Sequence, residues 1–342
     1  MAGRLMNSRS KPAARQRSTH ETVYDIPLVA DAGVSPSDCL TAPSGYRWPT
    51  QGAARDAAIR ALLALTRGRN CFIWGPPGAG KDALVHAFSA LTRRPAVAVT
   101  FRPGADLAPW FYARRVDARG TSWEYGHLWR ALTEGVQGED GVPRPALVLL
   151  SDVDRADMAQ LEWFRVLVDS IEGRILGPDG QMVPVLPGTQ FVCTANTCGG
   201  GDLRGRLVSA QAMDASILDR LGRKIELPYL HWSDESAVLQ TRYAGLEAAV
   251  PGLFAALGRA TEALRRAVRG EALHADFTHR SLCDVLDECA DRADHAGEAS
   301  LKLLAQSFSA WLEGLEPEVR LNAIRLIDPH LGGALELATK RR

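Results

Sequence analysis

No apolar run in this 342-residue chain is long enough to cross a membrane, which takes about 20 consecutive apolar residues. No C-x-x-C pair occurs among its six cysteines, Cys39, Cys71, Cys193, Cys198, Cys283 and Cys289. Nothing therefore marks a thiol metal site, and the cysteines read as reduced thiols of a cytoplasmic protein. Neither sign of charge is in excess, with 40 Lys+Arg against 40 Asp+Glu. That balance gives no support for a protein coated for nucleic acid. The first 20 residues depart from it: Arg4, Arg9, Lys11, Arg15 and Arg17 precede the first acid, Glu21. Pro12 and a weak apolar face argue against a targeting helix there. The segment reads as a disordered basic tail suited to nucleic acid or an acidic surface, and outside it no contact with nucleic acid is expected. Hydrophobic residues make up 46% of the chain, ample for a large core and a second, smaller domain.

What is present centres on Cys71-Phe72-Ile73-Trp74-Gly75-Pro76-Pro77-Gly78-Ala79-Gly80-Lys81-Asp82. An apolar strand enters a glycine-rich loop, and a helix begins just after Lys81. This is the G-x-x-x-x-G-K pattern in a strand–loop–helix setting. Glycines let backbone N–H groups turn inward on a polyphosphate. The helix N-terminus adds partial positive charge, and Lys81 is placed to reach the outer phosphates. The loop Gly75, Pro76, Pro77, Gly78, Ala79, Gly80 and Lys81, with Asp82 and Ala83 beyond it, is thus the candidate nucleotide site. One position breaks the pattern. Asp82 stands where a Ser or Thr hydroxyl ordinarily holds Mg²⁺.

Around this loop the pattern reads as alternating helices and buried strands. Residues 21–50 read as an extended arm rich in Pro, Ser, Gly and Asp, and Ala53–Arg67 as a helix. Strands are expected at Ala96–Phe101, at Ala146–Leu150 running into Ser151-Asp152-Val153-Asp154, and at Thr189–Asn196. Trp110–Tyr125, turning at 117–120, and Arg174–Val185, turning at 177–180, read as β-hairpins. A helix over Asp157–Ile171, closed by Gly173, lies between them. Gly199-Gly200-Gly201 reads as a mobile loop. Lys224–Leu227 is a further strand, and from Ser233 onward the pattern is almost wholly helical. That shift divides the chain into a tail and arm (1–44), an α/β nucleotide-binding domain (45–231), and a helical lid with C-terminal helices (232–342).

The order of phosphate loop, acidic strand end, hairpin, a strand ending Thr194-Ala195-Asn196, then Asp219-Arg220 and a helical segment resembles the AAA+ ATPases. Within them it is similar to the MoxR-like ATPases and the CobS-type cobaltochelatase subunit of the dynein-related subfamily. The likeness rests on Phe191–Thr197, Gly201-Asp202, Gln211, Met213-Asp214 and Asp219-Arg220, and spans roughly residues 45–285. It implies an α/β AAA+ P-loop NTPase core, a parallel sheet with flanking helices and inserted β-hairpins, followed by a small α-helical lid. It also implies ATP and Mg²⁺ as cofactors. Asn196 then matches the sensor that orients the attacking water. Arg220, with Arg223 in reserve, matches the arginine finger that reaches a neighbouring subunit's nucleotide. Arg280 matches the lid's sensor arginine. A permanently charged fork suits phosphate oxygens, and a finger acting in trans implies a homo-oligomeric ring, a hexamer by this resemblance. The plainer alternatives are a strand-end cap for Asn196 and surface ion pairs for Arg220 and Arg280. Partners with a von Willebrand factor A domain are also implied, engaged through the two hairpins; the alternative for Trp110, Phe111 and Trp123 is packing against the core.

The family's acidic strand ends Asp-Glu, whereas here it ends Ser151-Asp152. Two readings are open. In the first, carboxylate and hydroxyl have traded places: Asp82 and Ser151 hold Mg²⁺, which asks for oxygen ligands rather than a particular strand, and Asp152 is a shortened general base beside them. In the second, the site has decayed and Asp82 repels the phosphates. The exchange is favoured, because decay has no reason to put a hydroxyl where a carboxylate left and the reverse. Three functions follow: a motor ATPase that remodels a protein partner, an ATPase subunit of a cobalt or magnesium chelatase, and a nucleotide-binding scaffold ring with little turnover.

Overall fold

Five short strands run parallel through the centre of the α/β part. The computed structural model describes residues 20–118, 120–168, 173–202, 207, 209–295 and 301–335. Of the expected basic tail, 1–20, residues 1–19 lie outside the described residues.

The chain opens with an antiparallel hairpin, β1 (His20–Val23) and β2 (Ile26–Val29). The sequence reading of 21–50 as an extended arm missed it. Val23, Ile26 and Leu28 are buried against α1 (Gly52–Thr66) and α2 (Lys81–Thr92). β3 (Cys71–Trp74) leads into α2, and β4 (Ala96–Thr100) follows. Next come α3 (Ala108–Phe111), the hairpin β5 (Tyr112–Asp117) and β6 (Gly120–Tyr125), and α4 (His127–Thr133). Trp110 and Phe111, read as hairpin residues, belong to α3 instead; Phe111 is fully buried and stacks on Trp163. The two-residue strands β7 (Val136–Gln137) and β8 (Pro143–Arg144) pair with each other. β9 (Leu147–Ser151) then precedes α5 (Met158–Leu167). That helix starts on a capping box between Asp157 and Gln160, and the expected continuation to Ile171 lies outside the described residues. The second hairpin is β10 (Arg174–Leu176) with β11 (Met182–Pro184), and β12 (Gln190–Ala195), α6 (Ala215–Arg220) and β13 (Arg223–Glu226) complete this part.

The central sheet has the order β13-β3-β12-β9-β4, with every pairing parallel. Both faces are covered, so the strands are apolar on both sides. Phe72, Val148, Leu150, Phe191 and Cys193 face the α3–α6 side. Cys71, Ile73, Leu147, Leu149 and Val192 face α1, α2 and the first hairpin. This alternation is the period of two that a pleated strand imposes.

The rest is helical: α7 (Trp232–Arg242), α8 (Leu246–Ala249), α9 (Leu253–Arg269), α10 (His279–His295), α11 (Leu301–Ser307), α12 (Ser309–Glu313) and α13 (Pro317–Ile327). They close a separate core that includes Leu257, Leu264, Phe277, Leu286, Phe308 and Ile324. No described helix is long and apolar enough to cross a membrane.

Candidate functional site at the phosphate loop

In parallel sheets of this kind ligands bind outside the carboxyl ends of the strands. Here the ends of β3, β9 and β12 bring together Gly75, Asp152 and Asn196. The loop between β3 and α2 depends on its glycines. A Cβ on Gly75 would lie 2.0 Å from the Leu227 carbonyl oxygen, so no larger residue fits. Gly78 and Gly80 adopt φ of +75° and +85°, the left-handed region glycine tolerates. Gly80 is the cap from which α2 starts, and Lys81 is its first residue.

Lys81 is buried, and its ammonium donates to Gly75 O at 2.9 Å, Pro76 O at 3.1 Å and Asn196 Oδ1 at 2.9 Å. Burial lowers its pKa, opposed by the nearby charges of Asp82, Asp152 and Asp154. The Asn196 amide turns its nitrogen toward Asp152 Oδ1, 3.4 Å away. Asp152 itself sits in the left-handed region, with φ of 56°. Its pKa is raised, first by burial and then by the charges of Asp82 and Asp154. A carboxylate so placed is a stronger base than a free aspartate.

Asp154, in the sequence only the last residue of the acidic strand end, has a larger role in the fold. It is fully buried. Its Oδ2 accepts from Asn196 N at 2.9 Å, Thr197 N at 3.0 Å and Thr197 Oγ1 at 3.2 Å. The end of β12 is thereby tied to the turn carrying Asp152. Asp82 accepts a hydrogen bond from the Thr194 hydroxyl at 2.6 Å. Ser151 is buried at the end of β9, and among the described residues no hydrogen bond joins it to Asp82. The hydroxyl next to Asp82 is therefore that of Thr194, which the sequence reading did not single out.

The two remaining candidates stand apart. Arg220 is exposed at the end of α6, with Nη1 on Ser216 O at 2.8 Å. Arg280 is exposed on the first turn of α10. The lid residues that reach the loop are Thr278 and His279: a Cβ on Gly78 would lie 3.1 Å from Thr278 Cβ and 3.3 Å from His279 N. A cavity opens between loop, arm and lid, lined by residues that include Tyr46, Ala83, Leu227, Val238 and His279. Behind it Arg265 grips Glu235 through Nη1 at 2.6 Å and Nη2 at 3.1 Å, and lies over the Tyr229 ring at 3.9 Å. Glu235 also bonds His279 Nδ1 at 2.9 Å. Burial alone would raise the Glu235 pKa, but the bonds from His279 and Arg265 hold it below the usual value. The arm clips this lid: Thr50 donates to Asp234 through N at 2.8 Å and Oγ1 at 2.5 Å, and Arg47 donates to Thr241 at 3.1 Å.

The loop, the strand order and the helical region beyond define an AAA+ P-loop NTPase fold. A AAA domain of the dynein-related subfamily is found over residues 70–221. Among solved structures, the Thermotoga maritima RuvB Holliday junction branch migration motor matches at 15% identity and TM-score 0.46, covering 79% of this chain and 73% of that one. Brucella abortus NtrX matches at 15% identity and TM-score 0.44, covering 61% of this chain and 47% of that one. No curated protein matches the chain.

Proposed function

We propose that this chain is an ATPase of the MoxR-like and CobS-like kind, which binds ATP with Mg²⁺ and uses hydrolysis to remodel a protein partner. One observation carries the reading: the buried Lys81 ammonium and Asp152 meet on opposite ends of the same Asn196 amide. On this reading a phosphate-binding cation, a water-orienting amide and a general base would share one constellation. Asp82, Ser151 and Asp152 offer oxygen donors only, the chemistry Mg²⁺ takes; the bound ion would neutralise charge on the phosphates. Residues Gly75–Ala83 would cradle the triphosphate, and the cavity beside Tyr46 and Val238 would take the base. Arg220 is proposed to act in a neighbouring copy within a ring, and Arg280 to approach the nucleotide when the lid closes. A partner with a von Willebrand factor A domain, or a chelatase assembly, would engage the exposed hairpins.

A scaffold reading is favoured by one feature. The charges of Asp82 and Asp154 bear on Asp152 beside the loop, with Lys81 and Arg155 to offset them. Such a site would bind nucleotide weakly and not turn it over.

The test is Mg²⁺-dependent ATP hydrolysis by the wild type and by Lys81→Ala over a range of protein concentrations. Turnover that rises with concentration and disappears in Lys81→Ala supports a working ring. ATP binding without turnover supports the scaffold, and neither binding nor turnover removes the proposal.

A further inference from the structure

The chain is neutral as a whole, but its charge is not evenly spread. Arg60, Arg67, Arg69, Arg223 and Lys224 line a single surface pocket, and the other three lining residues are Leu63, Ala64 and Ile225. No acid lines it, and none of the five cations makes a salt bridge among the described residues. The fold assembles it from distant segments. β13 pairs in parallel with β3, setting Arg223 opposite Cys71, so the residues that lead from α1 into β3 lie beside the start of β13. The pocket is at the amino end of these parallel strands, away from the phosphate loop.

On α1 this face holds Arg60 and Arg67 toward its C-terminal half and Ala53 and Asp56 near its start, all exposed at the spacing of one helix face. A second hollow at the start of α1 is lined by His231, Arg266 and Arg269 among others, with Glu262 as its acid. The rise of α1 from Ala53, in one hollow, to Leu63, in the other, sets them roughly 15 Å apart at 1.5 Å per residue. A small phosphate cannot reach both, whereas duplex DNA carries one charge about every 1.7 Å along its axis. Four of the five cations are arginines, whose forks match phosphate oxygens. No aromatic side chain lines the α1–β13 pocket, so it has no platform for stacking unpaired bases.

We infer that the α1–β13 face is a binding surface for the sugar-phosphate backbone of duplex nucleic acid, independent of sequence and separate from the nucleotide site. The inference does not rest on the ATPase reading.

The test uses the full chain and a labelled 20-base-pair DNA duplex of mixed sequence, followed by fluorescence anisotropy. If four of the five cations meet phosphates, the wild-type affinity should fall about 100-fold between 50 and 200 mM salt. Arg60→Gln/Arg67→Gln/Lys224→Gln should bind at least tenfold more weakly at 50 mM, with a log–log salt slope shallower by roughly two to three. Its melting temperature and ATP affinity should match the wild type. Arg223 is left intact because it is the reserve finger. Should the triple variant fold poorly, Arg60→Gln/Lys224→Gln gives the same comparison with a slope change near two. The inference is overturned if the wild type does not bind the duplex, or if the variants bind as tightly as wild type. It is also overturned if removing residues 1–19 alone abolishes binding. Displacement of the duplex by polyglutamate at equal charge concentration would overturn it too, and would assign the surface to an acidic protein.

Discussion

The Thr194 hydroxyl donates to the Asp82 carboxylate at 2.6 Å. It joins the strand that carries Asn196 to the residue that departs most from the phosphate-loop pattern. A carboxylate held this way has a fixed orientation before any cation arrives.

If Asp82 is a metal ligand, Asp82→Ala should abolish Mg²⁺-dependent ATP binding, and Asp82→Thr alone should not restore it, since Ser151 would still lack a carboxylate partner. Calorimetric titration of ATP with and without Mg²⁺ checks both variants. Tighter binding by Asp82→Ala than by wild type would show that the carboxylate repels phosphate and would defeat the exchange reading.

Asn196 holds both Lys81 and Asp152, so Asn196→Ala should separate binding from chemistry. Hydrolysis should fall about 100-fold, the scale for loss of one preorganised polar group, while ATP affinity changes far less. Single-turnover measurements at saturating ATP provide the rate. An unchanged rate would remove Asn196 from the reaction.

Glu235 is buried with Arg265 and His279 as its partners. Replacing it with Leu strands the guanidinium in the lid core, a change expected to cost about 3–5 kcal/mol. Chemical denaturation should show that loss. A variant within 1 kcal/mol of wild type (about a fivefold change in equilibrium constant) would mean that Arg265 finds water instead.

The same network predicts a pH dependence. Hydrogen bonding to Cys283 and then to Glu235 raises the His279 pKa from 6.5 to about 9. The imidazolium is favoured in the folded state, so its stabilisation is complete below the unfolded value and is lost as pH rises through about 9. The melting temperature should decline over that window in the wild type. In His279→Gln the decline should be smaller, and equal declines would refute the assignment.

Legibility in the sequence followed distance along the chain. The phosphate loop is a contiguous pattern, and Leu253–Arg269 and Pro317–Ile327 are runs with a clear helical period, so all were readable locally. The first hairpin was not. Its turn residues, Tyr24 and Asp25, take φ of 52° and 60°, a conformation usually signalled by Asn-Gly or Asp-Gly. Thr194, by contrast, sat inside a recognised motif, yet its partner Asp82 lies 112 residues away. Glu235, Arg265 and His279 meet only through helix packing, and the α1–β13 basic pocket only through a strand pairing. Composition averaged that pocket away, because it counts charges without placing them.

On the proposed ATPase reading, the clip between arm and lid would have a kinetic consequence. Thr50 and Arg47 lie upstream of the whole sheet, yet they fasten α7, the first helix of the lid. A lid that swings away must first release Asp234 and Thr241. The escape of spent nucleotide would then be timed by a short leash at the front of the chain, and polymorphism there would alter dwell time without touching any group that handles phosphate.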